Sequence, residues 1–240
     1  MKHTGLESQM RDYLSLMGIQ PSSDQCALLA YHIELVLEVN KRVNLTRITD
    51  PIDAVRRHTG DSLSVLEDVQ CSPDGVMLDL GTGAGFPGIP LAIFEDRPVV
   101  LLDSVGKKIR ELGLIVSALG LNARVSTVAG RAEALARSRP RSFAVVAARA
   151  VSELPALVEL ASPLLVADGR LLCLKGSPSL DEISRANIVA IRVGMKLEYQ
   201  RGFAMPEQVG HRTVLCYRKT GASSVPLPRR EGMAQHAPLA

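Results

Sequence analysis

The chain has 240 residues, 46% hydrophobic and 22% charged, with a net charge of +3, which is the balance of a globular protein able to bury its own core. No apolar run approaches the roughly 18 residues of a membrane span and the N-terminus lacks a signal-peptide pattern, so a cytoplasmic protein with no membrane partner is expected. Cys26, Cys71, Cys173 and Cys216 form no CxxC pair, and His3, His32, His58, His211 and His236 form no HExxH; neither a disulfide framework nor a metal is expected.

Residues 6–17 and 22–43 read as helices, the second opening with Ser22, Ser23 and Asp24 as cap candidates and carrying Leu29, Ile33, Val36 and Leu37 at helical spacing. Asn44-Leu45-Thr46 breaks the pattern, and Asp50-Pro51 restarts a helix holding Ile52, Val55 and Leu63. Residues 1–66 are thus expected to form an N-terminal helical extension packed on the rest.

From residue 76 onward, short apolar runs at 76–80, 99–102, 124–128, 143–147 and 170–174 alternate with helical stretches. This pattern predicts a parallel sheet covered on both faces. Two further runs near 195–203 and 213–217 leave no room for a crossover helix, so the sheet is expected to end in an antiparallel hairpin. The expected α/β domain spans 67–219, and residues 220–240, with Pro226, Pro228 and Pro238 among small and basic residues, read as a flexible tail.

The segment Met77-Leu78-Asp79-Leu80-Gly81-Thr82-Gly83-Ala84-Gly85-Phe86-Pro87-Gly88 runs from an apolar strand through three glycines to a helix start. Such a turn at the carboxyl end of a first parallel strand is a ligand-binding position. Dinucleotide binding, S-adenosylmethionine binding and a plain structural turn compete for it. The spacing is GxGxG rather than the dinucleotide GxGxxG, and Asp79 disfavours a pyrophosphate while suiting a ligand with an ammonium and a sulfonium. GxxxxGK followed by Ser or Thr is absent, so a triphosphate-cradling loop of that type is not supported.

Asp103 ends the second run, where a carboxylate can accept the two ribose hydroxyls; the placement serves NAD equally, and a helix N-cap with Ser104 is the structural alternative. After the third run, Ala132-Glu133 starts a helix at the height of an adenine edge, which Glu133 or the neighbouring amides can read; an ordinary first-turn acid is the competing reading. Arg149 follows the wholly apolar fourth run and is expected at the same crevice, holding a methionine carboxylate or an acceptor phosphate by a bidentate fork. Lys175 closes the fifth run, as a snorkelling side chain or facing the acceptor. Lys41, Arg42, Arg47, Arg56 and Arg57, then Lys107, Lys108 and Arg110, then Arg229 and Arg230, cluster as phosphate-contact candidates or solvated faces.

Taken together, Asn44-Leu45-Thr46, Arg57-His58 with Asp61-Ser62, Asp79 through Pro90, Leu101-Leu102-Asp103-Ser104 with Gly106-Lys107-Lys108, and Arg149-Ala150 resemble the RsmG family, also called glucose-inhibited division protein B. The resemblance covers almost the whole chain and extends to Pro228 through Met233 and Pro238-Leu239, a basic ending found in some members. It implies a Rossmann-like class I methyltransferase fold, S-adenosyl-L-methionine as cofactor, and transfer of a methyl group to N7 of a guanine in 16S rRNA, on the RNA or the small ribosomal subunit particle. The matching cofactor positions are Gly81, Phe86, Ala132, Glu133 and Arg149, to which Gly83 in the loop and Asp103 at its strand end are added. Val39, Val43 and Ala84 depart from the common pattern, and with 3% aromatics the base-stacking candidates are Phe86, Tyr31 or an arginine plane.

Overall fold

The structure, a computed structural model, describes residues 4–240; His3 lies outside them. Seven strands, β1 (Met77–Leu80), β2 (Val99–Asp103), β3 (Val125–Ala129), β4 (Phe143–Arg149), β5 (Leu165–Lys175), β6 (Met195–Met205) and β7 (Gly210–Lys219), make one sheet in the order β3-β2-β1-β4-β5-β7-β6. The first five run parallel, and β7 is antiparallel to both β5 and β6. Only Pro206–Gln208 and Val209 separate β6 from β7, too short a span for a crossover. The hairpin's second strand, not its first, joins the parallel sheet. Burial explains this: Val214-Leu215-Cys216-Tyr217 is covered on both faces, whereas β6 exposes Lys196, Glu198 and Gln200 as a polar edge strand.

Side chains alternate across the sheet with the period of two that strands impose. Met77, Val99, Leu101 and Val145 face one core, and Leu78, Val100, Leu102 and Val146 the other. The first core is covered by α1 (Thr4–Leu16), α2 (Ser23–Asn40), α6 (Gly88–Phe94) and α7 (Gly106–Ala118); Met10, Leu14, Leu29 and Ile33 share it with Ile89 and Leu112. The second is covered by α8 (Ala132–Ser138), α9 (Leu154–Ala161) and α10 (Leu180–Arg192). At the start of α2, Ser22 Oγ accepts from Gln25 N (3.1 Å) and Gln25 Oε1 accepts from Ser22 N (2.9 Å), a reciprocal capping box.

Between α2 and β1 the chain forms α3 (Pro51–Ala54), a π-helical turn over Val55–Gly60, α4 (Asp61–Leu63) and α5 (Leu66–Gln70). Asn40 moulds the loop before them: its Oδ1 accepts from Leu45 N (2.7 Å) and Thr46 N (3.0 Å), and its Nδ2 donates to Thr46 O (3.0 Å).

The tail departs from the expectation of a flexible, solvated segment. Arg229 forks onto Glu159 of α9 (2.6 and 2.7 Å), Gly232 N donates to Glu133 Oε1 (2.8 Å), and the short helix α11 (Met233–His236) buries Ala234. Glu159 is only 2% exposed. A carboxylate that deep needs a cationic partner, and the tail's arginine is that partner.

Candidate cofactor crevice

β1 lies between β2 and β4, so the chain leaves its two flanks in opposite directions and opens a crevice at the carboxyl ends of the strands. The glycine loop is built into that edge. Gly81 N and Thr82 N both donate to Leu102 O (2.9 Å each), which folds the chain sharply over β2. Gly81 has φ +75, and a Cβ there would stand 2.5 Å from Val151 Cγ2. Gly83 also has positive φ (+57), but a Cβ there meets no protein atom within 4 Å.

Asp79 does not line the crevice. It is fully buried behind the loop, its Oδ2 accepting the Thr82 hydroxyl and Gly88 N, both at 2.7 Å, so it sets the loop's shape and caps the start of α6. Its Oδ1 has no partner, and burial pushes its carboxyl up to about 6. The preference for a cationic ligand drawn from this acid therefore has no direct contact behind it.

Asp103 stands at the end of β2 with Oδ2 accepting Gly83 N (3.1 Å) and Oδ1 accepting Val105 N (2.8 Å). It lines the crevice, and its bond to Val105 N shapes the turn that leads into α7, whose N-cap is Val105 rather than Asp103. Each oxygen keeps acceptor capacity for a further donor. Ala132 and Glu133 line a smaller depression that shares Gly81, Asp103, Ser104 and Val151 with the crevice. Gly232 N donates to Glu133 Oε1, which leaves Oε2 and the backbone of this turn to meet a ligand.

Arg149 reaches from the end of β4 to the π-helical turn. It donates to Arg57 O (2.9 Å), Asp61 Oδ2 (3.2 Å) and His58 Nδ1 (3.1 Å), and its guanidinium lies 5.4 Å from the centroid of Phe86. Three of the five N–H donors of an arginine are thereby used and two remain. Asp61 is held from its other side by Arg212 (2.7 Å).

His58 stacks on Phe86 at 4.5 Å between ring centroids. Burial and the neighbouring Arg149 push its imidazole down to about 3, so the ring is neutral. An arginine only donates, so Nδ1 is the acceptor and the proton sits on Nε2, donated to Thr46 Oγ1 at 2.7 Å. Thr46 Oγ1 also accepts from Ile48 N (3.1 Å), leaving its own hydrogen free to donate. On the other side of Phe86, buried His32 meets Ala84 O at 3.0 Å, and burial holds its imidazole down to about 4.

Gly81, Gly83, Phe86, Asp103 and Arg149 thus line one crevice of about 370 Å³ together with Thr46, His58 and Lys108, while Ala132 and Glu133 line the depression beside it. That volume is in the range of small-molecule sites. Two larger cavities, of about 760 and 580 Å³, contain none of these residues, so chemistry rather than size selects the site. The contacts of Thr46, His58 and Asp61 are not readable from sequence, where these residues stand out only as parts of the Asn44-Leu45-Thr46, Arg57-His58 and Asp61-Ser62 motifs.

The basic clusters divide. Arg42 is forked onto Glu111, Arg56 pairs with Glu207 and Arg229 with Glu159, so none of these is a free phosphate contact. Lys175 pairs with Glu182 (2.8 Å) and holds Ser152 O (3.1 Å) rather than facing the crevice. Lys108 lines the crevice, Arg47 follows Thr46 on an exposed loop, and Lys107 is exposed at the start of α7. Among the described residues no group of three His, Cys, Asp or Glu side chains could hold a metal, and no helix is long and apolar enough to cross a membrane.

The donor set suits S-adenosylmethionine. Open space in front of Gly83 admits a ligand against the backbone, Asp103 offers acceptors to a ribose diol, and Arg149 has two N–H groups for a carboxylate. Among solved structures, an O-methyltransferase from Bacillus cereus in complex with SAH superposes with a TM-score of 0.58 at 19% identity, covering 87% of this chain and 96% of that one. It shares the fold. Curated proteins named ribosomal RNA small subunit methyltransferase G are closer in sequence. That of Desulfitobacterium hafniense (strain Y51) is 35% identical, covering 93% of each chain, and that of Deinococcus radiodurans is 37% identical, covering 93% of this chain and 88% of its own. The GidB family model, described as rRNA small subunit methyltransferase G, matches residues 25–207, a span holding the glycine loop, Asp103, Arg149 and the His58 turn that joins them. The chain belongs to the GidB family.

Proposed function

We propose that the protein transfers the methyl group of S-adenosyl-L-methionine to N7 of a guanine in 16S rRNA, with the RNA or the small ribosomal subunit particle as its partner. The observation that carries this reading is that Gly83, Asp103 and Arg149 converge on one crevice in a chain of this family. When bound, S-adenosylmethionine supplies an electrophilic methyl on a sulfonium. Gly83 leaves room for its chain while Gly81 lets the loop pack against Val151, Asp103 accepts from the ribose, and the backbone of Ala132 and Glu133 bounds the adenine end.

Guanine N7 carries an in-plane lone pair outside Watson–Crick pairing, beside the O6 acceptor. Attack by that lone pair requires no prior deprotonation, so no general base is needed, and His58, held neutral with both nitrogens engaged, acts as a spacer. The residues' task is alignment, an effect worth about 7–11 kcal/mol in favourable cases. His58 fixes Thr46 and Arg149 at set positions; in this reading the free hydroxyl hydrogen of Thr46 donates to O6, and Arg149 orients the carboxylate end of the cofactor. Lys108, Arg47 and Lys107 take RNA phosphates at the crevice mouth.

The test is transfer of labelled methyl from S-adenosylmethionine by the purified protein to small-subunit particles, naked 16S rRNA and large-subunit rRNA in parallel. Label confined to 16S rRNA is expected. Label in large-subunit rRNA, or none in any 16S sample, overturns the reading.

A further inference from the structure

Where Glu133 would be read as meeting the adenine, the chain's own terminus has arrived first. Gly232 N occupies Glu133 Oε1 at 2.8 Å, and one turn further on Gln235 lines the same depression with Asp103, Ser104, Ala132 and Glu133. Gln235 is exposed and its amide has no hydrogen-bond partner among the described residues. We infer that the C-terminal segment is part of the cofactor site and that Gln235 is an adenine-recognising residue, an inference resting on the reading of the crevice as the S-adenosylmethionine site.

Three features argue for a built position rather than a loose end. The anchor is deep: Glu159 receives both arms of Arg229 and also Leu239 N (3.2 Å), so residues on both sides of α11 are tied to one buried carboxylate. Arg229 also donates to Ala237 O (2.7 Å), which closes the segment on itself around α11. Ala234, next to Gln235, is buried against the core beneath α9, and Glu231 pairs with Arg137 (2.9 Å) on α8. The anchored residues therefore hold Gln235 at the rim while leaving its amide unspent.

The chemistry fits adenine in particular. A primary amide presents one acceptor and two donors side by side, the complement of an exocyclic amine next to a ring nitrogen, and glutamine pairs with adenine in this bidentate way. On the N6/N7 edge hypoxanthine presents two acceptors, O6 and N7, and would leave the amide oxygen without a donor.

The experiment is calorimetric titration of S-adenosylhomocysteine and its inosine counterpart into the full-length protein and into Gln235→Ala, Arg229→Ala, the double variant and Asp103→Ala. Gln235→Ala should weaken S-adenosylhomocysteine about tenfold and change the inosine counterpart less than twofold, so that discrimination shrinks. Arg229→Ala should produce the same loss by releasing the segment, and the double variant should add nothing further. Asp103→Ala should weaken both ligands alike. Unchanged discrimination in Gln235→Ala, while Asp103→Ala binds poorly, overturns the role of the tail. Unchanged binding in Asp103→Ala would instead remove the crevice reading on which that role stands.

Discussion

Replacing Asp79 by Asn separates a loop-shaping acid from a ligand-facing one. In the native protein Oδ2 takes the Thr82 hydroxyl and Gly88 N while Oδ1 is buried without a partner. An Asn carbonyl can take over both bonds, so the loop keeps its form. What changes is the charge. Burial raises the Asp79 pKa from its ordinary 3.8 to about 6, so ionising it in the fold costs about 3 kcal/mol. A raised folded pKa contributes stability that is complete below pH 3.8 and lost as pH climbs through 6. Between pH 4.5 and pH 8 the wild type therefore loses about 2 kcal/mol through this one group, and Asp79→Asn loses none. Urea unfolding of both proteins at both pH values yields this as a double difference, in which all other titrating groups cancel. The variant should gain about 2 kcal/mol relative to wild type on going to pH 8 and should bind S-adenosylhomocysteine within a few-fold of wild type. Equal differences at the two pH values would refute the buried, uncompensated carboxylate, and loss of binding with stability retained would return Asp79 to the ligand.

The two loop glycines should behave differently. Gly81→Ala meets Val151 as well as a left-handed backbone and should cost about 2–4 kcal/mol in thermal or urea unfolding, whereas Gly83→Ala should cost only about 1–2 kcal/mol yet lose cofactor binding, because its new methyl enters the crevice; wild-type affinity in Gly83→Ala contradicts the placement. His32 and His58 should remain neutral from pH 8 to 5 by imidazole nitrogen chemical shifts, and titration of either near 6.5 would disprove their enclosure. Their folded pKa values lie below the ordinary one, so the stability they bring is complete above pH 6.5 and drains as pH falls toward 4, by about 1.4 kcal/mol per unit for each ring. Lys108→Ala with Arg47→Ala should weaken binding of the RNA substrate with a shallower salt dependence, and an unaltered salt slope would remove them from the phosphate contacts.

The sheet was legible because its signals are local: apolar runs of strand length, glycines where φ turns positive, and a short gap before the last strand. The order of β6 and β7 was legible only in hindsight, from the alternating polarity of Lys196, Glu198 and Gln200 against the continuous Val214–Tyr217 run. Asp103 and Arg149 could be placed because each ends a strand at the edge where ligands bind. The network around Arg149 could not, since it joins residues 46, 58, 61, 149 and 212 through contacts spanning up to 151 positions. Nor could the tail, because proline and arginine look solvated until a partner is known. The hint lay in α9, where Glu159 interrupts an otherwise apolar helix and requires a counter-charge from elsewhere.

Methyl transfer to 16S rRNA at the crevice that Arg149 lines is the activity that defines the protein. Its most direct test is mass mapping of 16S rRNA from cells lacking the protein, complemented with wild type or with Arg149→Ala. A single 7-methylguanosine should vanish in the deletion, return with wild type, and stay absent with an Arg149→Ala protein whose circular dichroism and abundance match wild type. Full methylation with Arg149→Ala, or a 16S methylation map unchanged by the deletion, would contradict it.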